Sequence, residues 1–149
     1  MVDETEATLI LEFGKNSEFF KKNKKMFQYS LNGYSRVFIL WIIKYNGPIH
    51  GYEIMKELDK FFTVPIRDGI MKKSTSSKIY PILKNMEDSE LILGEWETND
   101  ENKQVKIYSI TTKGKVLLKM IARSQTALRK NPQWVAFSED FYNEAEMSS

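Results

Sequence analysis

The chain has 149 residues, 42% apolar and 13% aromatic, which is enough for one folded domain around a single core and too short for two. It contains no cysteine, which excludes disulfides, thiolate catalysis and thiolate metal sites. The longest apolar run, VFILWII at 37–43, is seven residues, too short to cross a bilayer, so no membrane association is expected. The formal net charge of +2 hides an uneven distribution. Residues 1–20 hold five acids against Lys15, and residues 131–149 hold four acids and no base. Each end therefore carries −4, leaving +10 on residues 21–130. A basic body between acidic ends fits a module that binds a polyanion; it also fits a lysine-rich solvated surface. The first eleven residues are acidic and carry no basic-then-apolar pattern, so no signal peptide is expected and the expected location is cytoplasmic.

Residues 1–30 read as an N-terminal extension, flexible at first and then a short amphipathic helix. Its apolar residues come in pairs (Leu9–Leu11, Phe19–Phe20, Met26–Phe27) around a lysine cluster, KKNKK at 21–25. GYSRVFILWIIKY (33–45) is nearly all apolar and too short for periodicity to separate a buried strand from a buried helix; NGP at 46–48 ends it. In GYEIMKELDKFF (51–62), Ile54, Leu58 and Phe61 recur at helical spacing, with Glu53, Lys56, Glu57 and Lys60 on the other face. His50 precedes this helix as a candidate side-chain cap. It is the only histidine and has no acid cluster of metal-ligand spacing beside it, so neither a metal nor another cofactor is expected.

TVPIRDGIMKK (63–73) reads as a loop carrying Arg67, Lys72 and Lys73. The stretch STSSKIYPILKNMEDSELI (74–92) then starts a helix with an apolar stripe at Ile79, Ile82, Leu83 and Met86, and Ser74 to Ser77 supply the N-cap candidates. LILGEWET (91–98) and QVKIYSIT (104–111) are strand-like and joined by the polar turn NDENK, so they predict a β-hairpin. TTKGKVLLKMIARSQTALRK (111–130) predicts a long helix whose Leu117, Ile121, Ser124 and Leu128 form a seam for a partner helix. NPQW (131–134) is expected to end it, with an acidic tail following at 132–149.

Three helices followed by a two-stranded hairpin is the order of a winged helix-turn-helix. The expected fold is mainly α with a β-hairpin wing over residues 31–112, a dimerisation helix over 113–131, and N- and C-terminal helices pairing two copies. In helix-turn-helix geometry the second helix of the pair presents its N-terminal residues to base edges in the major groove. That makes Thr75, Ser76, Ser77 and Lys78 the groove-facing set, with Lys84 and Asn85 further along and Lys72 and Lys73 as a phosphate clamp on the preceding loop. A cation at a helix start opposes the helix dipole, so Lys78 is a poor stabiliser there and a good candidate for phosphate. Tyr80 is a candidate for a hydroxyl-to-phosphate contact, although its place beside Ile79 and Ile82 also fits a role in packing. The chain has no nucleophile-elbow serine and no glycine-rich phosphate loop, so no catalytic residue and no enzyme activity are expected. Trp41, Tyr45, Trp134 and Phe137 are candidates to line a dimer-interface pocket for a small aromatic effector, or are simply core.

HGYEIMKEL (50–58), SKIYPILKNMEDSELI (77–92) and KIYSITTKGKVLL (106–118) together resemble, in order and spacing, the PadR family of transcriptional regulators. The matching pieces are Gly51–Tyr52 opening the second helix, Ile79–Tyr80–Pro81 with Leu83 in the recognition helix, and Tyr108, Ile110, Thr111 and Gly114 ending the wing. The resemblance covers about residues 35–120. It implies a winged-helix repressor whose C-terminal helix packs on a partner's N-terminal region, so that two recognition helices reach successive major grooves of double-stranded DNA. This chain departs from the family pattern in two places. Glu90 stands where the family usually has a glycine after the recognition helix, so that turn has either to avoid positive φ or to accept strain. The wing tip carries Asp100 and Glu101 against Lys103 and Lys106, so those lysines are expected to touch the DNA backbone and the wing is not expected to read sequence. The acidic wing, the turn without glycine and the acidic ends leave one rival open, a winged helix that docks another protein without sequence-specific DNA binding; a regulator of another family such as the MarR type would keep the DNA function and change the dimer.

Overall fold

The computed structural model describes residues 6–8 and 18–147. The Leu9–Leu11 pair and the rest of the expected flexible start lie outside those residues, apart from 6–8, which are helical. The described chain runs α1 (Glu18–Asn32), α2 (Ser35–Asn46), β1 (Ile49–His50), α3 (Gly51–Phe61), α4 (Thr63–Arg67), α5 (Ser76–Asp88), β2 (Ile92–Thr98), β3 (Gln104–Ile110), α6 (Thr112–Lys130) and α7 (Pro132–Met147).

Residues 35–46, ambiguous in sequence, are helical, and their burial shows why. Ile39, Leu40, Ile42 and Ile43 are buried while Trp41 and Tyr45 face outward, a pattern that matches a helix and breaks strand alternation. This stripe meets Ile54 and Leu58 of α3, Ile79, Ile82, Leu83 and Met86 of α5, and Ile49, Ile92 and Tyr108 of the sheet in one core. The apolar stripe read for α5 is therefore the buried one. In α3 the expected third member, Phe61, is half exposed and stacks on Phe38 at 4.1 Å between ring centroids. The buried residue is Phe62. The helix has ended there, and the changed backbone (φ −115°, ψ 27°) turns that ring into the core in place of Phe61.

Three further expectations need correcting. The wing is an antiparallel sheet of three strands in the order β1–β3–β2, because Ile49 and His50 pair with Tyr108 and Ile107. A two-residue strand carries too little pattern to be read from sequence. The loop after α3 contains the short helix α4, with Pro65 inside its first turn, where its missing N–H costs little. The acidic tail is the helix α7. Asn131 ends α6 and starts α7, its Oδ1 accepting from the backbone N of Gln133 at 2.8 Å and of Trp134 at 3.4 Å. Pro132 then takes the first helical position, where proline is favoured. The NPQW that reads as a stop is also a start.

The junction where α5, the wing and α6 meet is the most constrained point of the backbone. Helix α5 ends in a Schellman motif: Leu91 N donates to Met86 O and Glu90 N to Glu87 O, both at 2.9 Å. Glu90 sits in the left-handed region at φ 60°, so the turn keeps its glycine-like backbone and accepts the strain of a side chain. Lys113 pairs with the Glu90 carboxylate and holds its pKa below the ordinary carboxylate value. Thr111 closes the junction. Its hydroxyl is directed at the carbonyl oxygens of Glu90 (2.6 Å) and Leu91 (2.9 Å), and accepts from Gly114 N at 3.1 Å, which caps α6. Gly114 is required because α6 crosses the turn so closely that a Cβ there would lie 2.2 Å from the Leu91 carbonyl oxygen.

Gly114→Ala is accordingly expected to cost about 2–3 kcal/mol, since the clashing atom is backbone and cannot swing aside. Glu90→Gly is expected to shift the urea midpoint the other way by relieving the positive φ, because the exposed pair it removes contributes little. Urea unfolding of both variants checks the opposite signs. Tyr108 supplies a pH signature: burial, then the nearby Glu87 and Tyr80, push its phenol from 10.0 up to about 12. A folded-state value raised above the unfolded one means stability that is complete below pH 10 and declines between about pH 10 and 12. Tyr108→Phe is expected to flatten that decline in chemical denaturation at alkaline pH.

Candidate nucleic-acid interface

Helix α5 starts without a side-chain cap. The N-cap residue is Thr75, in extended backbone, and its carbonyl accepts from Lys78 N at 3.1 Å and Ile79 N at 3.0 Å. Its hydroxyl makes no capping bond and lies 3.1 Å from Ser77 Oγ. The cap sought among Ser74 to Ser77 is thus absent as a side-chain bond. Ser74 is committed elsewhere: its N (3.0 Å) and Oγ (2.7 Å) both donate to Asp59 Oδ1 on α3. That carboxylate pins the loop before α5 to the helix before it, across fifteen residues of sequence, and so sets where α5 begins. Sequence spacing held no signal for Asp59. The outcome is a helix start whose Thr75, Ser76, Ser77 and Lys78 side chains are all exposed.

Opposite the buried stripe, α5 presents Ser77, Pro81 and Lys84, all exposed. Pro81 has no N–H, so the Ser77 carbonyl receives no helical bond from it and remains an acceptor on the outer face. Lys78 and Asn85 lie on one flank. Lys78 Nζ comes within 3.5 Å of Asn32 Oδ1 on α1, while Asn85 lines a cleft of about 250 Å³ with Arg36, Leu117 and Ile121. Tyr80 lies on the other flank. A Cβ at position 51 would sit 2.7 Å from the Tyr80 hydroxyl, so the glycine that opens α3 exists to admit this ring. Tyr80 keeps α5 and α3 apart while its outer edge stays exposed.

The wing lysines separate. Lys103 is exposed at the turn, 3.7 Å from Glu101. The turn is held by Asn99, whose Oδ1 accepts from Glu101 N at 3.0 Å and Lys103 N at 2.9 Å, with Asn102 at φ 61°. Lys106 is half-buried: its Nζ is 2.7 Å from Glu87 Oε1, with both side chains about a quarter exposed, and it lies over the rings of Trp96 and Tyr108. Glu87 is the clamp between α5 and β3. The groove between them, about 700 Å³, is flanked by Tyr52, Tyr80 and Trp96. Asp88 lies 3.8 Å from Lys84 and tempers the charge at the far end of the outer face.

His50 occupies the N-cap of α3 but forms no side-chain cap bond, and its Nδ1 is buried without a partner. Of the aromatic residues considered for an effector pocket, Trp41 and Tyr45 group with Phe61, and Trp134 and Phe137 with Phe141. Among the described residues no ring contact joins the two groups. No cluster of three or more metal-ligating side chains occurs among the described residues, and none of their helices is long and apolar enough to cross a membrane. On α6, Leu117 packs against the core and Ile121 is half-buried, whereas Ser124 and Leu128 are exposed.

None of the curated proteins matches this chain. Among solved structures, a PadR-like transcriptional regulator from Bacillus cereus superposes with a TM-score of 0.52 at 28% identity, covering 77% of this chain and 94% of its own. A PadR family transcriptional regulator from Eggerthella lenta gives 0.59 at 18% identity, covering 86% and 96%, and shows the likeness of fold alone. A PadR-like transcription factor from Bacteroides fragilis gives 0.55 at 19% identity, covering 71% and 93%. The model of the Transcriptional regulator PadR-like family matches residues 39–120, the span that holds the Gly51–Tyr80 contact, helix α5 and the Thr111–Gly114 junction, so the chain belongs to that family of winged-helix regulators.

Proposed function

We propose that this chain is a sequence-specific DNA-binding regulator that acts as a homodimer and represses by covering its operator. The observation that carries the reading is helix α5. Its start exposes three hydroxyls and Lys78 with no acid in its first turn, and it is held by Asp59 and the core with its polar face outward. The hydroxyls and the Ser77 carbonyl supply donors and acceptors for base edges, and Lys78 and Lys84 supply charge for phosphate. Lys72 and Lys73, exposed on the loop just before, extend the charge. Lys103, exposed at the wing turn beside Glu101, is the wing residue best placed for the backbone, and Lys106 would have to leave Glu87 to join it.

The dimer reading rests on unpartnered apolar surface. Val116, Met120 and Leu128 of α6 and Phe137 and Phe141 of α7 are exposed, more large apolar side chains than a monomeric helix pair usually leaves in water. A second copy covering them would bring two α5 helices to one face and double the contacts with a near-palindromic site. An aromatic effector would then be held between the two ring groups described above. The acidic wing tip favours the rival, in which the wing docks a protein partner. Salt dependence separates the two.

Binding to a duplex from the chain's own upstream region, followed by fluorescence anisotropy at several salt concentrations, is expected to be tighter than to a scrambled duplex and to weaken steeply with salt. Lys78→Ala and Lys84→Ala are each expected to flatten the log–log slope by about one unit. An unchanged slope for both would remove α5 from the groove. Leu128→Asp combined with Phe141→Asp is expected to give monomers in sedimentation and to weaken operator binding by about 100-fold through lost bivalency. A dimer that survives both changes places the interface elsewhere.

A further inference from the structure

Helix α1 precedes the residues that the family shares, and it folds back toward the start of α5. Its Phe20 is buried and its Leu31 packs against the core, which seats the helix. Between α1 and the loop before α5 lies a cleft of about 560 Å³. Phe20, Leu31 and Met71 form apolar wall, and Lys21 and Lys24 from α1 meet Lys72, Lys73 and Lys78 around it. None of the described residues lining the cleft is acidic.

Several basic residues elsewhere on the described surface have a counter-charge. Lys60, Lys84, Lys103, Lys106 and Lys113 each lie beside a carboxylate, and Arg67 lies beside Asp68. The five lysines of the cleft take part in none of these pairs; Lys78 has only its long contact to Asn32. Five ammonium groups gathered without a counter-charge repel one another, and the arrangement costs stability unless an anion enters. Residues three and seven apart on a helix share a face, so Lys21, Lys24 and Gln28 point together into the cleft, while Lys22 and Lys25 do not line it.

We infer that this cleft is a phosphate site and that its occupant is the DNA backbone beside the groove entered by α5. This rests on the DNA-binding reading given above and adds α1 to the interface. Lys78 belongs to both surfaces: it stands in the first turn of α5 and on the rim of the cleft, so a strand whose bases meet Ser76 and Ser77 carries its phosphates past Lys72, Lys73 and then α1. Contacts of this kind raise affinity for every sequence alike and position the protein without reading bases.

The test compares two variants of the full chain that lose the same charge from the same helix. Lys21→Ala/Lys24→Ala is expected to flatten the log–log salt slope by about two units, and to weaken binding to the upstream and scrambled duplexes by the same factor. Lys22→Ala/Lys25→Ala is expected to leave the slope within a few tenths of the parent's. Equal effects from the two variants would reduce the cleft to general surface charge and overturn the inference. An unchanged slope for Lys21→Ala/Lys24→Ala would also overturn it, while the Lys78 and Lys84 variants still report on α5 separately. A parent chain whose binding ignores salt would overturn both readings together.

Discussion

The close crossing of α6 over the turn that ends α5 is the constraint from which the rest of the geometry follows. Gly114 lets the first turn of α6 rest on the Leu91 carbonyl, and Thr111 bonds both to that turn and to its own helix. Because the same few residues end α5, begin β2, end β3 and begin α6, none of these elements can rotate without disturbing the others. The polar face of α5 and the unpartnered faces of α6 and α7 therefore have a fixed relation within one chain. A regulator that places two reading helices on one duplex needs such a relation, since half-site spacing is set by rigid geometry. Glu90 shows how strongly the junction is determined: the backbone keeps its left-handed turn even with a side chain that disfavours it.

Charge is sorted with equal economy. Glu87 and Lys106 face each other across the groove between α5 and the wing, partly shielded and close enough to hold the wing against the helix. On the opposite flank of α5 the lysines have no such partners. An ion pair that satisfies its own needs is a structural tie, whereas unpaired cations of one sign gathered in a cleft are a standing demand for an anion. The two flanks of one helix thus divide into a side that binds the protein to itself and a side left open to a ligand. The distinction separates Lys106 from Lys78, which composition alone treats as equals.

Much of the local structure is legible in the sequence. The stripe Ile79–Ile82–Leu83–Met86 marked the buried face of α5 because helical periodicity leaves few alternatives. The exposed set Thr75 to Lys78 was legible for the complementary reason: polar residues at the start of an amphipathic helix have nowhere else to go. Other local signals are masked by composition. Asn131–Pro132 is a good helix start, and an acidic composition masked the aromatic residues that follow it.

The sequence by itself determined the order of the principal helices and the hairpin, the buried stripe of α5 and the family, because these depend on periodicity and on short motifs whose residues act on their neighbours. It could not show that Asp59 holds Ser74, that Tyr80 fills the space left at Gly51, that Ile49 adds a strand to the wing, or that Glu87 takes Lys106 from the surface. Nor could it bring Lys21 and Lys24 beside Lys72, Lys73 and Lys78. Each of these joins residues far apart in the chain, and which distant groups meet is settled by how the helices pack, not by any local preference along the sequence.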